Sequence, residues 1–274
     1  MTDRPPSAAL LVVQPWRVVA TLAGRELTRF FRQRNRVIGA LGQPLLFWLL
    51  FSAGLGPSFR MPGAADSSLS FGQYFFPGTV VLIVLFTSIF ATISIIEDRR
   101  EGFLQSVLVA PIPRWAMVLG KLLGGTCIAV IQAVLFLALG WFAGLRCDGL
   151  ELLAIVGLLF VLSLALTGLG FVIAWRLDST QGFHAIMSVF LMPMWLLSGA
   201  FFPASEGVLY WVTRFNPLSY GVAGLRQLLY STEVGAAHAL PSLAVCWSVT
   251  VLFAVVTFVA SWRVSAQRIS GDLL

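Results

Sequence analysis

The residue types able to do chemistry are few in this chain and poorly placed for catalysis. Its 274 residues include one lysine, Lys121, two histidines, His184 and His238, and three cysteines, Cys127, Cys147 and Cys246. A phosphate-cradling loop needs glycines and a Lys followed by Ser or Thr, whereas Lys121 is followed by Leu122. With no Walker A site the chain is not expected to hydrolyse ATP, and it is read as a non-enzyme. It has neither a GxSxG elbow nor an HExxH pair, the local patterns that place a serine nucleophile or a zinc. The cysteines share no short spacing and read as small core residues rather than as a disulfide or metal site. His184 reads as an interfacial residue in preference to a proton relay. No metal site is expected, and no cofactor bound by this chain.

Charge is concentrated in one place. Only 11% of residues are charged, yet the segment 94–121, "SIIEDRREGFLQSVLVAPIPRWAMVLGK", carries five charged residues in succession, Glu97, Asp98, Arg99, Arg100 and Glu101. Gly102 follows, and then Phe103, Leu104, Val107 and Leu108, spaced to share one side of a short helix that Pro111 and Pro113 would end and Arg114 would turn back. Two readings are open. In one, the charges serve only to stop translocation in a solvated turn; in the other, the segment is a surface helix that docks a cytoplasmic partner. The apolar side weighs for docking, because a loop meeting only water has no use for Phe103 or Leu108.

The elements that would hold this segment are membrane-spanning. Hydrophobic residues make up 58% of the chain and mean hydropathy is +0.89, a composition whose surface water could not solvate. Continuous apolar runs, without the alternation of a membrane barrel, indicate an all-α membrane protein with six transmembrane helices near 37–55, 75–96, 115–143, 152–175, 183–202 and 242–262. Pro15 and Arg17 break the N-terminal apolar patch, so no cleaved leader is expected. With the N-terminus inside, 14 of the 18 Lys and Arg fall on the inner side. The positive-inside rule then places both termini in the cytoplasm and explains the net charge of +6 without nucleic acid. Lys121, just inside the third span, is expected to snorkel to the inner surface.

Ahead of the first span, Trp16, Val19, Ala23, Leu27, Phe30 and Phe31 recur at helical spacing, with Arg25, Glu26, Arg29 and Arg32 on the other side. This predicts an amphipathic helix in the inner interface, contacting membrane lipids. On the outer side, 56–74 reads as a loop, while the aromatic-rich 201–241 predicts a re-entrant helical hairpin between spans five and six. The chain is thus one transmembrane domain, 1–274: a cytoplasmic N-terminus with the interfacial helix (1–36), a six-span bundle (37–262) and a cytoplasmic tail (263–274).

The segment "EDRREGFLQSVLVAPIPRWAMVLGK" closely resembles the signature that follows the second span of ABC-2 type permeases. Glu97, Arg99, Glu101, Gly102, Leu104, Leu108, Pro111, Arg114, Gly120 and Lys121 supply it, with Phe103 where Thr is common and Gln105 where Glu is common. "YFFPGTVV", "LMPMWLLSGAFFP" and "FNPLSYGVAGLRQLL" resemble further family segments in the same order. The resemblance implies the membrane subunit of an ATP-binding cassette exporter, in the cell inner or plasma membrane. A second permease subunit, identical or not, would pair with it, and a separate cytoplasmic ATPase subunit would hold ATP and magnesium. It implies that residues 97–114 are the coupling segment, through Glu97, Asp98, Arg99, Arg100, Glu101, Gly102, Phe103, Leu104, Leu108, Pro111 and Arg114. The helix bearing Trp16, Arg25, Glu26, Arg29 and Phe30 would be a second contact. The translocation path and outer gate would draw on Phe76, Phe86, Phe90, Met192, Pro193, Trp195, Asn216, Tyr220 and Arg226, with Met194 beside them and Pro193 as a kink. Drugs, lipids and lipid-linked glycans are all substrates such a subunit could serve. The alternatives are a secondary carrier or channel without an ATPase, which the scarcity of intramembrane charge disfavours, and a non-transporting scaffold.

Overall fold

The computed structural model describes residues 14–55, 70–142, 148–201, 207–230 and 240–267. Most of the expected outer loop, part of the hairpin, Cys147, His238 and both chain ends lie outside the described residues. Every regular element among the described residues is helical: α1 (Pro15–Arg32), α2 (Arg34–Leu55), α3 (Phe71–Ala91), α4 (Ile93–Arg100), α5 (Phe103–Val109), α6 (Arg114–Phe142), α7 (Gly149–Trp175), α8 (Thr180–Trp195), α9 (Gly207–Phe215), α10 (Pro217–Leu229) and α11 (Leu243–Ala266).

Five helical segments are long and apolar enough to cross a membrane by length and composition: Phe71–Arg100, Arg114–Trp141, Gly149–Trp175, Thr180–Ala200 and Leu243–Ala266. They match five of the six expected spans. The remaining one, at 37–55, falls on α2, whose apolar part is the shorter Leu41–Leu55, a rise of roughly 22 Å against a hydrocarbon core of about 30 Å.

Local signals in the sequence set the ends of these helices. Ser70 and Gln73 form a reciprocal capping box at the start of α3, with Gln73 N–H donating to Ser70 Oγ at 3.3 Å and Ser70 N–H to Gln73 Oε1 at 2.9 Å. Asp148 and Glu151 do the same for α7. Asn216 caps α10 through Leu218 N–H, at 3.0 Å, with Pro217 at the first helical position. Gly102, at φ +75°, makes the left-handed step between α4 and α5 that a side-chain-bearing residue would adopt only with strain.

The α3–α4 segment is the centre of the bundle: 83% of its most apolar stretch is buried, against 22% for that of α11. Helices approach it and one another closely where side chains are small. A Cβ on Gly170 would lie 2.7 Å from Thr92 Oγ1, and one on Gly168 2.8 Å from Thr257 Oγ1, so α7 sits tightly between α4 and α11. Ser261 Oγ donates to Gly168 O across the second contact at 3.0 Å.

In three places the structure is more specific than the sequence pattern. The buried side of α1 is Val19, Leu22, Glu26 and Phe30, rather than the series that included Trp16 and Phe31, which are 67% and 48% exposed. The buried side turns to a neighbouring helix, so the charged Glu26 is inside and two aromatics are outside. The α8 helix runs through Pro193, and the non-helical residue falls later, at Gly199 (φ +74°), inside a π-helical turn over Leu196–Ala200. The outer segment divides into α9, with no buried residue, and α10, most of which is buried against the bundle. Gly221 and Gly224 let α10 in, since a Cβ on either would lie within 3 Å of Leu162 or Leu158.

Candidate functional site

Helix α1 is pressed onto the beginning of α6 by two glycines one turn apart. A Cβ at Gly120 would stand 2.9 Å from Leu22 Cβ and 3.1 Å from Val19 O; at Gly124 it would stand 2.6 Å from Glu26 Cβ. Backbones this close permit the residue between those glycines, Lys121, to reach across. Its Nζ donates to Glu26 Oε1 on α1 and to Asp98 Oδ2 on α4. Lys121 and Glu26 are 6% and 5% exposed, and Asp98 is fully buried. The expectation that Lys121 snorkels to a surface is therefore corrected: two carboxylates hold it inside.

Asp98 is the hub of the charged end. Arg25 grips its carboxylate with both guanidinium nitrogens, Nη2 to Oδ1 at 2.8 Å and Nη1 to Oδ2 at 3.1 Å. Arg29 adds a bond to Oδ1 at 3.0 Å and reaches Glu97 Oε2 at 2.8 Å, with Glu101 3.5 Å away. Three cations around one buried carboxylate fill its acceptor positions, which is the condition for burying such a charge at all. Burial lowers the affinity of Arg25 for its proton, but the hydrogen bond and charge of Asp98 outweigh it and leave the pKa raised. The guanidinium stays cationic throughout. It also lies 3.8 Å over the ring of Phe103, so the first residue of α5 is clamped to α1 by a cation–π contact.

The charged run divides between two neighbours. Glu97 and Asp98 face α1, while Arg99 and Arg100 face the turn between α7 and α8. Arg99 donates to Trp175 O at 2.6 Å and to Asp178 Oδ1 at 2.8 Å, and Arg100 Nη2 donates to Asp178 O at 2.7 Å. Beyond this locked base, Leu104 is buried, Phe103 and Leu108 are half-buried, and Arg114 begins α6. The outward surface of α5 and the following bend is Glu101, Gln105, Ser106, Val109 and Pro111. Val109 is 86% exposed. Sequence reasoning passed over Val109, Gly124 and Asp178, and saw Gly120 and Lys121 without their partners. The Gly120–Gly124 spacing was the available signal for the helix contact.

The residues assigned to a path or gate separate into two groups. Phe76 stacks on Phe136, with centroids 5.2 Å apart, and meets Trp48 edge-on. Trp195 donates its indole N–H to Gly78 O at 2.9 Å. Arg226 is buried, 4.1 Å over the Tyr74 ring, and donates to Tyr74 O and Gly199 O at 3.3 and 3.2 Å. Asn216 gives its amide to Met194 O. Phe76 ties α3 to α2 and α6, and the other three tie α3, α8, the π-helical turn and α10 together within the subunit. Tyr220, half-buried, donates to Arg214 O at 2.9 Å. Phe86 and Phe90, stacked at 5.5 Å, and Met192 are half-buried, and Pro193 is exposed. They border an exposed apolar strip formed by Ile186, Val189 and Phe190 on α8 and by Leu196 at the start of the π-helical turn. Cys246 is buried, Cys127 half-buried, and both thiols are free. His184 lies 5.3 Å from the Phe90 ring.

A helical bundle with several apolar spans, and an ion-paired loop at one end, describes a multi-pass integral membrane protein. The family model of the ABC-2 type transporter matches residues 17–230, and the chain belongs to that family. Among its relatives, the transport permease ycf38 of Cyanophora paradoxa is 28% identical over 74% of this chain and 72% of its own length. The daunorubicin resistance ABC transporter permease protein DrrB1 of Streptomyces coeruleorubidus is 25% identical over 72% and 69%. The linearmycin resistance permease protein LnrN of Bacillus subtilis (strain 168) is 24% identical over 68% of this chain and 47% of its own length.

Proposed function

We propose that this permease is half of the membrane pathway of an ATP-binding cassette exporter, driven by ATP bound and hydrolysed on a separate cytoplasmic subunit. One observation carries the proposal most directly: the loop after α4 has a base held by buried charge and a tip, at Val109, turned out from the bundle. A rigid base with a protruding apolar tip suits a segment that must transmit force from a partner. In this reading α5 docks the ATPase through Gln105, Val109 and Pro111, and the ion pairs of Asp98 carry its displacement to α1 and α6. ATP and magnesium stay with the partner, and this chain is not itself an enzyme.

The remaining assignments follow the same frame. The α2 helix serves as the first of six spans, locally thinning the bilayer, and both termini are cytoplasmic. Two permease subunits meet across the exposed strip of α8, with Phe86, Phe90, Met192 and Pro193 bordering the path between them. The α9–α10 pair closes the outer end. Crossing a hydrocarbon core is costly for polar groups, and the aromatic border suits an amphipathic cargo of the drug, lipid or lipid-linked glycan class. The names of DrrB1 and LnrN, which record resistance to daunorubicin and linearmycin, favour the drug-like class.

Gentle extraction of tagged protein from native membranes, followed by mass spectrometry, tests the reading. The expected result is a stoichiometric soluble subunit bearing a P-loop, lost from the Val109→Asp protein although that protein inserts and melts like the parent. ATP-dependent accumulation of a fluorescent anthracycline in inside-out vesicles then tests direction and cargo class. Absence of any ATPase, even after cross-linking, would overturn the exporter assignment.

A further inference from the structure

The two arginines of the charged run are usually read with its acids, as a surface offered to a partner. Their positions indicate a different use. Trp175 is the last residue of α7, and the carbonyls of a final helical turn have no intrahelical donors. Arg99 supplies donors there: Nη2 to Trp175 O at 2.6 Å and Nη1 to Leu177 O at 3.4 Å, with the guanidinium 5.6 Å over the Trp175 ring. A cation is also the sign of charge a helix C-terminus favours. Arg100 takes the next carbonyl, Asp178 O, with Nε at 3.2 Å and Nη2 at 2.7 Å. At residue 179 the chain is already capping α8, since Ser179 Oγ accepts from Gly182 N–H at 3.3 Å. The turn from α7 to α8 is four residues long, 176–179, and leaves little slack between the arginines and the first turn of α8.

We propose that Arg99 and Arg100 are positioning residues that join the loop after α4 to the start of α8, so that movement of the loop tip is delivered to α8 through the 175–178 carbonyls. This rests on the exporter reading above and adds a second route to it. The acids of the run carry movement to α1 and α6, and the arginines carry it to the helix that borders the path. The Asp178 carboxylate is a minor part of the joint. Its side chain is 89% exposed, and exposed ion pairs contribute little, whereas the carbonyl contacts bind through the backbone.

The full-length permease, purified with the ATPase subunit that accompanies it, supplies the test. Cys127, Cys147 and Cys246 are replaced by Ala. An environment-sensitive fluorophore is then placed either beside the tip, at an exposed position of α5 outside the docking residues (Ser106→Cys), or at the exposed start of α8 (Gln181→Cys). In the parent, ATP with magnesium is expected to shift the emission of both probes. In the Arg99→Ala/Arg100→Ala protein the tip shift and the amount of bound ATPase are expected to stay, while the Gln181 shift is lost. Arg99→Lys/Arg100→Lys, which keeps the charge without the fork, is expected to fall between, and Asp178→Ala to behave as the parent. A change in stability alone would not separate the two probes. An unchanged Gln181 shift in the double Ala protein overturns the proposal, as does loss of bound ATPase from it, which would make the arginines docking contacts. A parent that holds its ATPase yet shows no Gln181 shift overturns the proposal and leaves the exporter reading standing. A parent that holds no ATPase overturns both.

Discussion

Replacing Lys121 by Met isolates the buried ion pair. Methionine keeps most of the volume of the lysine stem, so packing is nearly preserved, and the change is mainly one of charge. Asp98 would still be held by Arg25 at 2.8 Å and Arg29 at 3.0 Å. Glu26 would not fare as well, because its remaining cation is Arg25 at 3.5 Å, and it is 5% exposed. Removing one member of a buried pair costs about 3–5 kcal/mol, because the other charge is stranded, whereas removing both is often near neutral. Lys121→Met is therefore expected to destabilise by about 3–4 kcal/mol, and Glu26→Gln/Lys121→Met by no more than about 1 kcal/mol. The double variant thus recovers roughly 2–3 kcal/mol, and the coupling energy of the cycle is that recovery plus the cost of Glu26→Gln alone, large for two residues in contact. Unfolding of the parent, both single variants and the double variant by SDS titration in mixed micelles, followed by fluorescence of the nine tryptophans, gives the cycle directly. A Lys121→Met protein within about 0.5 kcal/mol of the parent, the ordinary effect of a surface change, would refute the burial of this pair. So would a double variant as damaged as the single one.

Three further outcomes are expected. Gly124→Leu forces atoms into the 2.6 Å separation from Glu26 Cβ and should lift α1 from α6, seen as faster tryptic cleavage at Arg25 and Arg29. Gly124→Ala should cost about 1–3 kcal/mol in the SDS titration, as overpacking does. Arg226→Met removes a donor from the carbonyls of Tyr74 and Gly199, the second of which keeps a bond from the Tyr74 hydroxyl at 3.3 Å, and removes the cation over the Tyr74 ring. At about 1.5–3 kcal/mol for hydrogen bonds made by a charged group, it should be among the more damaging single changes near α10, and Arg226→Lys should recover part of the loss. With Cys127, Cys147 and Cys246 replaced by Ala, membrane-impermeant maleimide should label Val109→Cys only from the cytoplasmic side and Val208→Cys, at a position 81% exposed on α9, only from the outside; the reverse pattern would invert the proposed topology.

Much about this chain was decided by composition and order alone. Continuous apolar runs mark helices because the bilayer leaves no other way to satisfy a spanning backbone, and five of the spans fall where hydropathy places them. The loop after α4 was visible because five charges in so apolar a chain have no other explanation than a loop or a site, and Gly102, Pro111 and Pro113 punctuate it by backbone chemistry that needs no tertiary partner. The use made of those charges was not visible. Periodicity shows that α1 has two sides but not which one will meet another helix, and the answer came from Gly120 and Gly124 on α6, about a hundred residues away in the chain. Asp98 finds Arg25 across 73 positions and Lys121 across 23, separations over which a charge pattern carries no information about pairing. Local sequence determines which segments form helices, because each turn is stabilised by its own backbone bonds. Whether a charge faces solvent or a buried counter-charge depends on which helices come close enough to exclude water, and that was settled only when α1, α4 and α6 packed together.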